Sequence, residues 1–318
     1  MPFRRAAVAA IAVLTVAGCG SGAEAPAAPP AGDSTVPVVA STNVYGSIVA
    51  AVGGDRVSVD SLIDDPAADP HSYESTPADA AAVAKARLVV VNGGGYDDFL
   101  TQLVQSSGTT ATVVDVAAVS GLAPAEEEHS EGEAHEHGEF NEHFWYSLPT
   151  VQKVATQIAA DLGAADPADA AEFTANANAF NARVGELITR AEAIGKAQPG
   201  VRVAVTEPVP GYLVQTAGLT DATPPEFTEA IEEDTDPPAA VLQETLALFS
   251  GDPVRALILN AQTETPSTDQ VRDAAQTAGV PVVEMSETLP DGASDYAGWM
   301  GGQIDALSGA LGVTPSGS

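Results

Sequence analysis

One stretch constrains the fold of this chain more than any other. Pro149 to Lys196 contains no strand-like segment, yet it lies between two runs that each alternate strand and helix. Pro149 to Leu162 reads as one helix, ending near Gly163. Pro167 opens a second, with Asp166 as N-cap, that runs to about Ile194. Its apolar positions Phe173, Phe180, Val184, Leu187 and Ile188 recur at helical spacing. A helix of about 28 residues is ~42 Å long at 1.5 Å rise per residue. Between two α/β runs, such a helix reads as a rigid strut joining two lobes, or as a long surface helix.

The first run places strands at Pro37–Ala40, Val57–Ile63, Leu88–Val91 and Ala111–Val116. Helices fall between them at Val44–Val52, Pro77–Ala86 and Tyr96–Gln105, the second with Thr76 as N-cap and Pro77 at its first position. Gly93-Gly94-Gly95 lacks the Gly-x-x-x-x-Gly-Lys phosphate pattern and has Asp97 and Asp98 beside it, so it reads as a strand-to-helix turn. The second run has strands at Val201–Thr206, Ala256–Asn260 and Val280–Met285. Its helices are Pro210–Ala217, Pro225–Glu232, Pro238–Ser250, Thr268–Ala278 and Trp299–Gly309. This order predicts an α/β fold of two lobes. Each is a mostly parallel sheet flanked by helices.

The N-terminus reads as an address. Arg4 and Arg5 precede an apolar run, Ala6 to Ala17, that is too short to span a membrane. Val16-Ala17-Gly18-Cys19 is similar to a bacterial lipoprotein signal, which would lipidate Cys19 and anchor the chain to a membrane without crossing it. Residues 1–18 are therefore expected to be a signal peptide and 19–36 a flexible tether. Residues 37–165 are expected to be the first lobe, 166–196 the linking helix and 197–318 the second lobe. Cys19 is the single cysteine, so no internal disulfide forms.

Twelve basic and 44 acidic residues leave a formal charge of -32. That balance argues against nucleic acid as a partner and suits a cation. All five histidines lie in two acidic stretches. His71 sits in Asp64–Glu74; His129, His135, His137 and His143 sit in Glu126–Trp145, which has eight glutamates and no lysine or arginine. Ligands of open parallel sheets bind at the carboxyl ends of strands. Metal-competent side chains occur there as His71, His143, Glu207 and Glu287, two from each half. Two imidazoles and two carboxylates suit zinc or manganese.

Asp69-Pro70-His71-Ser72-Tyr73-Glu74, with Thr76-Pro77 and Asp79 behind it, resembles the first ligand motif of the zinc/manganese substrate-binding proteins of bacterial ABC importers. Asn141-Glu142-His143-Phe144-Trp145 is similar to the second, with Glu142 where proline is usual. Thr206-Glu207-Pro208 resembles the third. Met285-Ser286-Glu287-Thr288 stands at the fourth, where aspartate is common. The resemblance runs from about Pro37 to the C-terminus. It implies an α/β fold of two lobes, each with a mostly parallel four-stranded sheet, joined by one long rigid helix; a metal in the interlobe cleft held by His71, His143, Glu207 and Glu287; and small lobe movements on binding. It also implies a membrane ABC permease as partner. The segment 126–142 resembles the histidine-rich loop of zinc-specific members, and this implies weak, reversible metal binding at His129, His135 and His137.

The expected function is capture of extracytoplasmic zinc, by a lipid-anchored monomer that is not an enzyme, and its delivery for import. Manganese (Mn2+) in place of Zn2+ is one alternative. A metal-buffering or adhesin lipoprotein on the same scaffold is another. A zinc hydrolase fits less well. His135-Glu136-His137-Gly138-Glu139 lacks the His-Glu-x-x-His spacing, and four protein ligands would close the site. Trp145 and Tyr146 read as packing residues.

Overall fold

The computed structural model describes residues 35–66, 73–122 and 141–313. The first sheet contains β1 (Val36–Thr42), β2 (Val57–Ile63), β3 (Leu88–Val91) and β4 (Thr112–Asp115), in the order β2-β1-β3-β4. Every pairing is parallel. Parallel neighbours need crossovers, and helices supply them. These are α1 (Asn43–Gly53), α2 (Pro77–Val83) and α3 (Asp98–Ser107), with α4 (Val116–Ser120) after β4. All four side chains of β3 are buried, as an apolar run covered on both faces requires. Thr76 caps α2 through a reciprocal capping box with Asp79, and Pro77 occupies the first turn.

The second sheet repeats this plan. It contains β5 (Arg202–Val205), β6 (Thr220–Asp221), β7 (Leu257–Asn260) and β8 (Val282–Met285), in the order β6-β5-β7-β8, again all parallel. Around it lie α7 (Gly211–Thr216), α8 (Pro225–Glu232), α9 (Ala239–Ala247), α10 (Pro266–Thr277) and α11 (Tyr296–Ala310). The fourth strand, β6, was not legible as an element. It has two residues, both exposed, and therefore no period to read.

Between the sheets lie α5 (Leu148–Ala165) and α6 (Ala170–Ala197). The long helix has the expected 28 residues but a different start. Asp166 does not cap it. Instead Asp166 closes a turn by accepting from Ala168 N at 3.1 Å, and Asp169 is the N-cap. Pro167 therefore lies in the turn, and α5 runs two residues past Gly163. Phe173, Ala177, Phe180, Val184, Leu187, Ala191 and Ile194 form the buried stripe of α6. It packs on α5, α1 and α11. One continuous core joins these side chains to Val38 and Val90 of the first sheet and to Val203 and Ile258 of the second. Among the described residues, no helix is long and apolar enough to cross a membrane.

Both sheets reverse strand order about their central pair, β1/β3 and β5/β7. The carboxyl ends of such pairs are where open α/β sheets leave a crevice.

Candidate metal centre

Three of the four expected ligands lie in the described residues: His143 lies beside Glu287, and Glu207 is linked to Glu287 through Asn260. His143 precedes a 3-10 turn, Phe144–Tyr146, and is fully buried. Asn141 Oδ1 takes its main-chain N–H at 2.9 Å and lies 2.8 Å from its Nδ1. A carbonyl oxygen at Nδ1 holds the proton there, so the other nitrogen, Nε2, is presented as a lone pair. Nε2 lies 3.8 Å from Glu287 Oε2 and 3.7 Å from Glu232 Oε1. Two ligands each about 2.1 Å from one ion are at most ~4.2 Å apart. Both separations fit a shared cation. Among the described residues, no group of three or more His, Cys, Asp or Glu side chains is placed so that it could hold a metal ion.

Glu207 follows β5 and Glu287 follows β8; both are buried. Asn260, at the end of β7, donates through Nδ2 to Glu207 Oε2 at 2.6 Å and to Glu287 Oε1 at 2.9 Å. Glu287 Oε2 accepts from Tyr96 Oη at 3.0 Å, so a tyrosine of the first half reaches the carboxylate of the second. Other bonds join the halves around this point. Tyr146 Oη donates to Ser286 O at 2.7 Å, Asn141 Nδ2 to Pro208 O at 2.6 Å, and Gln262 Nε2 to Pro66 O at 3.1 Å. Asn43 and Leu289 exchange two more, at 3.1 and 2.9 Å.

Aromatic rings wall the centre. Trp145 and Tyr96 stand 5.2 and 5.9 Å from the His143 ring, both edge-on. Trp145 and Tyr146 are fully buried, in line with their reading as packing residues. The Gly93-Gly94-Gly95 turn is also as expected. All three glycines have positive φ, and a Cβ on Gly93 would meet Asp115 Oδ1 at 2.6 Å. Asp97 accepts from Asn92 N and Gly93 N at 2.6 and 2.9 Å, which orients the loop that carries Tyr96.

Carboxylates crowd the centre. Burial, and after it the charge of Glu287, pushes the Glu142 carboxyl up to about 8. Burial, followed by the charges of Glu142, Glu207 and Glu287, pushes Glu232 up to about 9. Such groups gain from a cation placed among them.

His71 lies outside the described residues, as do His129, His135, His137 and Cys19. The described end of the His71 motif is well anchored. Tyr73 Oη and Thr76 N donate to Asp79 Oδ2 at 3.0 and 2.6 Å. Sequence reasoning missed Glu232, Asn260 and Tyr96. Asn260 ends a strand that was recognised, but an amide oxygen is a poor zinc ligand beside carboxylates and imidazole. Glu232 had a signal: with Glu233 and Asp234 it puts negative charge at the C-terminus of α8, the unfavourable end of a helix dipole.

The family model of ZnuA, described as zinc-uptake complex component A periplasmic, matches residues 38–310. The manganese-binding lipoprotein MntA of Halalkalibacterium halodurans is 30% identical over 177 residues, 56% of this chain and 55% of that protein. The high-affinity zinc uptake system protein ZnuA of Brucella abortus is 29% identical over 185 residues, 47% of this chain and 55% of that protein. The chain thus spans about half the length of the curated relatives it matches. The structure of the periplasmic zinc-binding protein TroA from Treponema pallidum has the same fold. It superposes with a TM-score of 0.71 at 21% identity, covering 87% of this chain and 99% of that one. With a family model matched from the first strand to the last helix, and with the two-sheet fold to go with it, this chain belongs to the ZnuA family of metal-binding solute-binding proteins.

Proposed function

We propose that this protein captures a divalent transition-metal ion, zinc in the first instance, between its two sheets and delivers it to a membrane ABC permease. One observation carries the reading: the buried His143 of the first half faces Glu287 of the second, Nε2 to Oε2, at 3.8 Å. A site built from both halves gives bound metal a means of holding them together. His143, Glu207 and Glu287 are the ligands, with His71 the fourth. Residues 37–165 and 197–318 act as the two metal-binding lobes, with 166–196 as the rigid link. Cys19 is the lipid anchor on the extracytoplasmic side of the membrane, and the protein works as a monomer. His129, His135 and His137 gather zinc loosely. The protein binds and hands over metal and catalyses no reaction, since four protein ligands leave no open position on zinc.

Manganese is the second reading. The carboxylates Glu207, Glu287 and Glu232 around one described imidazole favour it, because oxygen-rich sets suit manganese. The relative named for manganese binding supports it too.

The test is competition between Zn2+ and Mn2+ on the purified mature chain, with His143→Ala and His71→Ala beside it. Tight one-to-one zinc binding, lost in both variants, is the expected result. Displacement of zinc by manganese at comparable concentration would overturn the choice of metal. Full affinity in both variants would overturn the site.

A further inference from the structure

Both carboxylates of the second half converge on a single nitrogen. Asn260 Nδ2 has acceptors at 2.6 Å (Glu207 Oε2), 2.9 Å (Glu287 Oε1) and 3.1 Å (Thr263 Oγ1), but an amide nitrogen has only two hydrogens. Hydrogen bonds to charged oxygens are shorter and stronger, so the two carboxylates take them. The amide is itself held on every side. Asn260 is buried at the end of β7, and its main-chain N–H donates to Thr206 Oγ1 at 3.0 Å. Its Oδ1 accepts from Gln262 N at 3.1 Å. Gln262 in turn takes the main-chain N–H of Glu287 on its Oε1 at 2.5 Å. Asn260 is therefore a fixed clamp and not a mobile partner.

We propose that Asn260 is a positioning residue that sets metal preference. By binding one oxygen of Glu207 and one of Glu287, it makes each carboxylate meet the captured cation through its other oxygen. The proposal rests on the reading of these two glutamates as ligands. Its chemical consequence follows from coordination number. Zinc is satisfied by four single-atom ligands in a tetrahedron, whereas manganese prefers six, mostly oxygen. Carboxylates that cannot chelate through both oxygens supply too few donors for manganese. The clamp thus offsets the bias toward manganese that a carboxylate-rich centre would otherwise have.

Asn260→Ser is the variant of choice. The hydroxyl keeps an acceptor for Gln262 N–H, so the turn survives, but its single hydrogen cannot hold two carboxylates. Asn260→Ala removes both bonds. Zn2+ and Mn2+ affinities are measured by chelator competition on the full mature chain, with melting of each metal-free variant to verify folding. Loss of a partner that orients a metal ligand typically lowers affinity by about 10–100-fold. Zinc affinity is expected to fall by about 10-fold in Asn260→Ser and toward about 100-fold in Asn260→Ala. Manganese affinity should fall less or rise, narrowing the preference. X-ray absorption of the zinc-loaded variants should show more oxygen neighbours than in wild type. Equal losses for both metals, or zinc affinity unchanged in both variants, overturns the role of Asn260. If wild type binds metal and His143→Ala does not, such a result leaves the centre standing. If wild type binds neither metal, or His143→Ala keeps full affinity, the centre falls and the clamp falls with it.

Discussion

At the residue scale, the chemistry of the centre is a contest between burial and charge. Glu142 and Glu232, pushed up to about 8 and about 9, are protonated at neutral pH in the metal-free protein. An incoming cation must expel those protons, and imidazole must be neutral to coordinate. Metal affinity should therefore fall below about pH 6, where histidine protonates. It should also keep rising from neutrality toward pH 9; titration calorimetry in buffers of different ionisation enthalpy would show the released protons. A plateau immediately above the histidine range would contradict this. Stability of the metal-free protein runs the other way. A carboxyl with a raised folded-state pKa binds more protons folded than unfolded, so stability is full below the ordinary carboxylate range and is lost as pH rises through 8 and 9. Saturating zinc should remove that dependence. Glu232→Gln mimics the protonated side chain. It should raise the metal-free melting temperature at pH 7, because the wild-type carboxyl must take up a proton to fold there, while reducing protons released per metal bound, and an unchanged proton count would count against a role for Glu232.

At the element scale, α6 decides how the two sheets behave. Its buried stripe serves one core that reaches both sheets. Phe180 lies in that stripe, with its ring 6.0 Å from Tyr296 on α11. Phe180→Ala should cost about 3–5 kcal/mol by the combined loss of transfer energy and creation of a cavity. Chemical denaturation followed by fluorescence would measure it, and a cost below 1 kcal/mol would mean that the helix is not a shared strut. Thr76 caps α2 at the end of the His71 motif, accepting from Ala78 N and Asp79 N at 3.2 and 3.3 Å. Thr76→Ala should cost about 1 kcal/mol of stability. The same elements show where patterning is readable. A 28-residue amphipathic helix and the apolar strands β3 and β7 announce themselves by period and composition. The two-residue β6 and the turn at Asp166 do not, because each is set by a few hydrogen bonds. Asp166 followed by proline mimics a cap; the turn to Asp169 wins locally.

At the scale of the whole molecule, the halves are tied by a continuous core and by hydrogen bonds around the centre, among them Tyr96 to Glu287 and Tyr146 to Ser286. Unfolding should therefore be one cooperative transition in calorimetry, not two. Zinc at 100 times its dissociation constant should add about 2.7 kcal/mol by mass action. Two resolved transitions, with only one shifted by zinc, would show that the halves fold separately and that one holds the ion alone. The shared core also favours small lobe displacements, which small-angle scattering with and without zinc would register as a minor change in radius of gyration.

The sequence by itself determined the order of the main elements other than β6, the parallel sheets, the long helix and the candidacy of His143, Glu207 and Glu287. These follow from local periodicity and from the rule that functional side chains of α/β sheets lie past strand ends. It could not determine who stands beside whom. The pairing of Glu232 with His143 joins residues 89 positions apart by number, and the reach of Tyr96 to Glu287 spans 191. The clamp of Asn260 on two glutamates is of the same kind. Such contacts carry no local pattern. They exist because one core packs the two sheets together, and that packing brings Glu287, which Asn260 holds beside Glu207, within reach of His143 and Tyr96.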